Sequence, residues 1–292
     1  MEKWFNKIAI VGVGFMGGSL ALALKKKKVC KEIFGIGRNI NKLKQAKKQG
    51  IIDSYSLSFD NNLKECEIIF ITNFPSVVVP TFKRILPYIG PTSIITDISS
   101  VKENILKQIE QIFYKKYKKK AYYKIPFIGG HPLVGSEKRG FLNAKVDLYE
   151  NAPVILTPTK HTDCNKKNII KQIWQRIGAY TIEMSPSEHD YIIGILSHLP
   201  HIFAYILIDN LNLISFHKLK KIIPPSFKEL TRIASSNPLL WKEIFIDNKA
   251  MNRILDRTIN RLRKIKLLIS DKKQTKIEGY LKKIESVRKR LV

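Results

Sequence analysis

Acidic side chains are scarce in this chain: 24 Asp and Glu stand against 52 Lys and Arg, a formal net charge of +28 over 292 residues. That balance attracts anionic ligands. The basic residues are nevertheless scattered along the whole length, with no RNP, zinc-finger or basic-zipper pattern, which argues against nucleic-acid binding as the main function. Cysteine is scarcer still. Cys30, Cys66 and Cys164 form no C-x-x-C pair, which excludes a disulfide framework and a thiolate zinc site and fits a reducing cytoplasm. H-E-x-x-H is absent and no carboxylate has ligand-like spacing, so no metal site is expected. No uncharged apolar run reaches membrane-spanning length; residues 191–213 come nearest, and His198, Pro200, His201 and Asp209 interrupt them. The N-terminal residues pass straight into a strand, without the pattern of a signal peptide. What remains is a globular composition, 44% hydrophobic, of a length for one or two domains.

Against that background one stretch stands out. Ile8, Ala9, Ile10 and Val11 read as a strand buried on both faces, and Gly12, Gly14 and Gly17 follow at G-x-G-x-x-G spacing, before Leu20, Leu22 and Leu24 continue as a helix. In a dinucleotide-binding turn the first glycine permits the tight bend, the second lets the backbone approach a pyrophosphate, and the third allows close helix–strand packing. The helix N-terminus adds free N–H groups and a positive dipole end. Gly12, Gly14, Phe15, Met16 and Gly17 are therefore the candidate phosphate-binding turn.

Strands at residues 31–37, 67–72, 91–97, 124–128, 152–156 and 180–184 alternate with helices at 41–49, 76–86, from 103 and at 163–177. Such alternation predicts an α/β fold with a parallel sheet, whose ligands sit outside the carboxyl ends of the strands. Thr72 ends one strand at that rim and joins the candidate cofactor residues. The strand at 31–37 ends in Gly37, followed by Arg38, where NAD-binding folds carry an acid for the ribose hydroxyls; a small residue plus Arg accommodates a 2′-phosphate and leans to NADP. Ser100 lies at the same rim, as a helix cap or a site residue. Residues 114–123 read as a solvated helix end or surface insertion.

His131 falls in Gly129-Gly-His-Pro-Leu-Val-Gly-Ser-Glu137, a stretch expected to be a loop. From Ser185 onward strand signals stop and long apolar-periodic helices take over, among them 191–213, one opened by Asn237-Pro238 and running to Leu262, and a closing stripe at 277–291. The expected domains are 1–184 and 185–292. His198 and His201, three residues apart, share one helix face.

In order, Gly12-Val-Gly-Phe-Met-Gly-Gly18, Asp97-Ile-Ser-Ser-Val-Lys102, the Gly-Gly-His-Pro stretch, Ser197-His-Leu-Pro-His201, Thr231-Arg-Ile-Ala234 and Asn237-Pro-Leu-Leu-Trp241 resemble the prephenate/arogenate dehydrogenase family of tyrosine biosynthesis. The resemblance covers nearly the whole chain, and the Gly-Gly-His-Pro and Ser-His-Leu-Pro-His stretches together carry its specificity. It implies a Rossmann-type doubly wound sheet followed by an all-helical dimerisation domain, and oxidative decarboxylation of prephenate with NAD(P)+. By the same resemblance His131 accepts the substrate hydroxyl proton, Ser100 orients the base or the hydroxyl, and Arg232 grips a carboxylate. His198 and His201 line the substrate pocket, Ser136 and Glu137 sit at its rim, and the helical domains pair as a homodimer. Two departures from the family pattern are Gly37-Arg38 in place of an acid, and Pro224-Pro-Ser-Phe227 where many members have a glycine-rich turn. The competing readings are arogenate as substrate, a β-hydroxyacid dehydrogenase, and a non-catalytic nucleic-acid-binding or NADP-sensing protein.

Overall fold

A computed structural model describes residues 5–116, 124–135, 140–214 and 222–291. The candidate rim residues Ser136 and Glu137, and most of the basic stretch at 114–123, lie outside them.

Eight strands form one sheet in the order β3-β2-β1-β4-β5-β6-β7-β8, where β1 is Phe5–Val11, β2 Cys30–Ile36, β3 Ser54–Ser56, β4 Ile68–Ile71, β5 Ile94–Asp97, β6 Phe127–Pro132, β7 Pro153–Thr157 and β8 Tyr180–Glu183. The order reverses between β1 and β4, which is the switch point where doubly wound sheets take their ligands. Alternate residues of the central strands face opposite cores. Ile8, Ile10, Ile68 and Phe70 pack on one side with Leu20, Leu24 and Trp174, while Ala9, Val11, Ile69 and Ile71 pack on the other with Val78, Phe82 and Ile109. Each such aliphatic side chain withdrawn from water contributes roughly 1.5–3 kcal/mol. The helices α1 (Phe15–Lys26), α2 (Ile40–Lys48), α3 (Pro75–Ile85), α4 (Glu103–Lys116) and α5 (Cys164–Arg176) clothe the two faces.

The sheet departs from the all-parallel expectation at one place. β6 and β7 are antiparallel, with Gly129 opposite Thr157, Gly130 opposite Leu156 and His131 opposite Ile155. The expected loop from Gly129 is thus, as far as Pro132, the carboxyl-terminal part of a buried strand. Its glycines are there because nothing larger fits. A Cβ on Gly129 would stand 2.3 Å from Thr157 Oγ1, and one on Gly130 2.8 Å from the Asp97 carbonyl oxygen.

After the sheet come α6 (Pro186–Ile193), capped by the Ser185 hydroxyl, a π-helical turn at Gly194–His198, and α7 (Leu199–Asp209). By length and composition this continuous helix, Pro186–Asp209, is long and apolar enough to cross a membrane, although Glu188, His189, Asp190 and His198 lie within it. It exposes Ile195, Leu196, Ile206, Leu207 and Ile208. α8 (Pro225–Thr231), a 3-10 turn at Arg232–Ser235 and α9 (Pro238–Asp247) follow.

The single long helix expected from Pro238 to Leu262 is broken at Asn248, whose backbone leaves the helical region at φ −77°, ψ 96° while its side chain bonds the Asp190 carbonyl at 2.7 Å. α10 (Met251–Ser270) starts afresh beyond it, and α11 (Gln274–Leu291) completes the chain. By compactness the chain falls into units Met1–Lys249 and Ala250–Val292. The first extends past residue 184 because α6 and α9 pack against α4 and α3 of the sheet layer. The second is the α10–α11 pair, two amphipathic helices with basic, largely exposed surfaces.

Candidate active site

Two groups of residues lie toward the carboxyl ends of the parallel strands β1, β4, β5 and β6. The first is the glycine turn. Gly12 sits at φ +104°, a conformation open to glycine, and a Cβ there would strike Asn73 Oδ1 at 2.2 Å. At Gly17 a Cβ would lie 2.4 Å from the Gly12 carbonyl oxygen, so this glycine lets α1 close onto β1. Gly14 differs: its Cβ direction is open, with no atom within 4 Å. No side chain caps α1, whose first turn begins at Phe15 and leaves the N–H groups of Phe15, Met16 and Gly17 without intrahelical acceptors. An open backbone face at the N-terminus of a helix, at the sheet's switch point, fits a dinucleotide pyrophosphate.

Thr72 braces this turn, its hydroxyl donating to the Gly12 carbonyl at 2.6 Å. Gly37 follows directly on β2, where a Cβ would come within 3.3 Å of Leu43 Cδ2, and Arg38 beside it is exposed.

The second group is buried. His131, on β6, is 7% exposed, and its Nδ1 lies 2.8 Å from Nε2 of His189 on α6. His189 Nδ1 lies 2.7 Å from Asp190 Oδ1, and the Asp190 carboxylate also accepts the N–H of Lys102 at 2.8 Å and of Glu103 at 3.0 Å, at the start of α4. Beneath β6, Asp97 accepts the Gly130 N–H at 3.2 Å and the Ser99 N–H at 3.1 Å, and pairs with the fully buried Lys102 ammonium, which also bonds Ser99 Oγ at 2.9 Å.

Burial holds His131 well below its ordinary value of 6.5, reinforced by its neighbours His189, Lys102 and His198. Burial lowers His189 too, against the opposing pull of Asp190, and lowers Lys102 against that of Asp97.

The helices after the sheet contribute a third set. His198 is buried, its Nδ1 accepting from Asn248 Nδ2 at 2.9 Å, which places its proton on Nε2; that atom is buried with no partner among the described residues. Burial pushes its pKa down to about 4. His201 donates from Nδ1 to the Ser197 carbonyl at 2.9 Å and stacks on Trp241 with ring centres 3.4 Å apart, while His198 meets the same indole edge-on at 5.9 Å. Burial lowers His201, and the nearby Arg232 cation lowers it further.

The structure thus gathers Gly12, Gly14, Phe15, Met16, Gly17 and Thr72 at one end of the rim, and His198 and His201 around Trp241, with Arg232 close to His201. His131 stands at the rim on β6. Ser100 is half-buried in the turn after β5 and makes no hydrogen bond to His131; among the described residues the partner of that imidazole is His189. Sequence reasoning missed Asp97, Lys102, His189 and Asp190. The signal available for the last pair was the Glu-His-Asp triplet at the start of a buried helix.

Comparison with known proteins adds the family. A model described as "Prephenate dehydrogenase, nucleotide-binding domain" matches residues 20–183, and one described as "Prephenate dehydrogenase, dimerization domain" matches residues 185–283. A prephenate dehydrogenase of Bacillus subtilis is 34% identical over 285 residues, 95% of this chain and 72% of that protein. The crystal structure of prephenate dehydrogenase from A. aeolicus in complex with hydroxyphenyl propionate and NAD+ superposes with a TM-score of 0.89 at 32% identity, covering 100% of both chains. The structure of Synechocystis arogenate dehydrogenase superposes with a TM-score of 0.82 at 26% identity, covering 98% of this chain and 100% of that one.

Proposed function

This chain belongs to the prephenate dehydrogenase family, and from that premise we propose that it converts prephenate to 4-hydroxyphenylpyruvate and CO2 with NAD(P)+ as oxidant, in L-tyrosine biosynthesis. The observation that carries the reading is a buried imidazole, kept neutral by its surroundings, at the strand rim that also bears the glycine turn. A bound nicotinamide supplies the hydride acceptor for the carbinol C–H bond. His131 Nε2 accepts the 4-hydroxyl proton as that bond breaks, and loss of the ring carboxylate as CO2 aromatises the ring. A base that stays neutral well below pH 6.5 is available across the physiological range.

Arg232 grips a substrate carboxylate with its guanidinium fork. His198 offers a fixed Nε2–H, and His201 a free Nε2, to the substrate from the helical side. Ser100 bonds the substrate hydroxyl from the β5 turn. Holding carbinol carbon and nicotinamide in contact is the entropic part of catalysis.

Three finer readings accompany this one. Gly12, Gly14, Phe15, Met16 and Gly17 hold the pyrophosphate, and Gly37 with Arg38 favours NADP, because the β2 end has no acid and an exposed guanidinium instead. Residues 1–184 bind the dinucleotide, and 185–292 bind substrate and pair two copies through the apolar face around Leu196 and Ile206. The protein works in the cytoplasm, in keeping with its three free cysteines. The test is a two-by-two matrix of initial rates, prephenate and arogenate against NAD+ and NADP+. Fastest turnover with prephenate supports the reading. Arogenate as the sole substrate replaces it, and no cofactor reduction with either overturns it.

A further inference from the structure

His131 is a base only if the nitrogen facing substrate carries no proton, and a neutral imidazole has two tautomers. The buried chain behind it decides which. Asp190 offers oxygen to His189 Nδ1 at 2.7 Å, while both its carboxylate oxygens already accept backbone N–H groups at the start of α4. An acceptor in that position fixes the His189 proton on Nδ1. His189 is buried, and burial disfavours its doubly protonated form, so its Nε2 is bare. That bare nitrogen lies 2.8 Å from His131 Nδ1, which must therefore donate. The opposite tautomer would set two lone pairs against each other at that distance or require a second proton on His189.

We propose that His189, held by Asp190, is the positioning residue of the base: it locks His131 as the Nδ1–H tautomer and leaves Nε2 bare for the substrate hydroxyl. The inference deepens the reading of His131 given above and rests on it for its catalytic meaning, though the tautomer itself does not depend on substrate.

The same chain answers the problem created when His131 accepts a proton. A buried imidazolium is costly, and Lys102, His189 and His198 all oppose it. With Nδ1–H donated to His189 and His189 donated to Asp190, the transient charge is passed by polarisation toward a carboxylate, with no proton leaving either nitrogen. The other charged pair nearby, Asp97 with Lys102, is closed on itself and on Ser99, and reaches β6 through the Gly130 N–H instead of the imidazole. The residues that face the His131–His189 pair are thus Asp190 on α6, Lys102 and Asp97 at the α4 and β5 ends, and His198 in the π-helical turn.

The test uses the full chain labelled with 15N-histidine and read by long-range 1H–15N correlation at pH 7, the His131 signals being identified by their loss in His131→Asn. The expected result is protonated Nδ1 and bare Nε2 on His131. A proton on Nε2, or a tautomer mixture, overturns the proposal whatever the enzyme turns over. Two variants give the kinetic counterpart. His189→Phe, which fills the space without an acceptor, loses about 100-fold in kcat with little change in KM, within the usual range for a misplaced acid–base group. His189→Gln, whose carbonyl can accept the Nδ1–H, recovers at least about tenfold of that loss. Equal losses in both variants would show that an acceptor at this position is not what the base needs, and would overturn the positioning role; no loss in His189→Phe would mean that His189 only fills space. Failure of His131→Asn to lower kcat would instead remove the catalytic reading and leave the tautomer assignment standing.

Discussion

Asp97→Asn removes the anionic half of a fully buried ion pair. Asp97 and Lys102 are both fully buried, and the ammonium's other contact is the Ser99 hydroxyl. An asparagine keeps an oxygen for the Gly130 N–H, now at 3.2 Å, but brings an NH2 group against the lysine ammonium and removes the compensating charge. Breaking one side of a buried pair costs about 3–5 kcal/mol, because the remaining charge stays in a low-dielectric site. That is a large part of the roughly 5–15 kcal/mol by which domains are stable. At about 2–4 °C per kcal/mol for a chain of comparable size, the thermal midpoint falls by about 6–20 °C.

The double variant Asp97→Asn/Lys102→Met removes both charges and recovers much of the loss, with a coupling of at least about 2 kcal/mol between the two sites. The assay is thermal unfolding followed by near-UV circular dichroism for the wild type, both single variants and the double. A midpoint shift below about 2 °C for Asp97→Asn, or strictly additive effects, refutes the reasoning.

Titration supplies two more predictions and the cofactor a third. His198 has a folded pKa of about 4 against an ordinary 6.5, so the unfolded chain binds more protons between those values and folding stability falls as pH drops from about 6.5 to about 4. At about 1.4 kcal/mol per unit the loss approaches about 3 kcal/mol, and His198→Gln flattens that part of the stability–pH curve measured by urea unfolding. Because burial also holds His131 well below 6.5, the acid limb of kcat/KM lies well below pH 6.5; a half-maximum at 6.5 or above contradicts the burial argument. Arg38→Ala raises KM for NADP+ about tenfold, some 1.4 kcal/mol, and leaves KM for NAD+ within about twofold; equal effects on both would show that Arg38 does not read the 2′-phosphate.

The parts of the molecule that were legible from the chain are those fixed by local chemistry. Gly12 and Gly17 announce a turn that few residue types can make, and both have the close surroundings their positions implied. The alternation of apolar runs and helices foretold the sheet, although β3, three half-buried residues at its edge, gave no periodic signal. What was not legible depends on distant partners. His131 looked like a loop residue because glycine and proline flank it, yet β7 and the Asp97 carbonyl demand glycines in a strand. The His131–His189 contact spans 58 residues of sequence, and no spacing rule reaches that far. Asn248 looked like the interior of a helix because its role, bonding Asp190 and His198, belongs to the tertiary fold.

The most direct measurement is single-turnover kinetics of His131→Asn with prephenate and the preferred cofactor. The account predicts a loss of at least about 100-fold in the rate of cofactor reduction with prephenate affinity kept within about threefold, since the imidazole acts on the proton and not on the carboxylates. A rate within about threefold of wild type would contradict it.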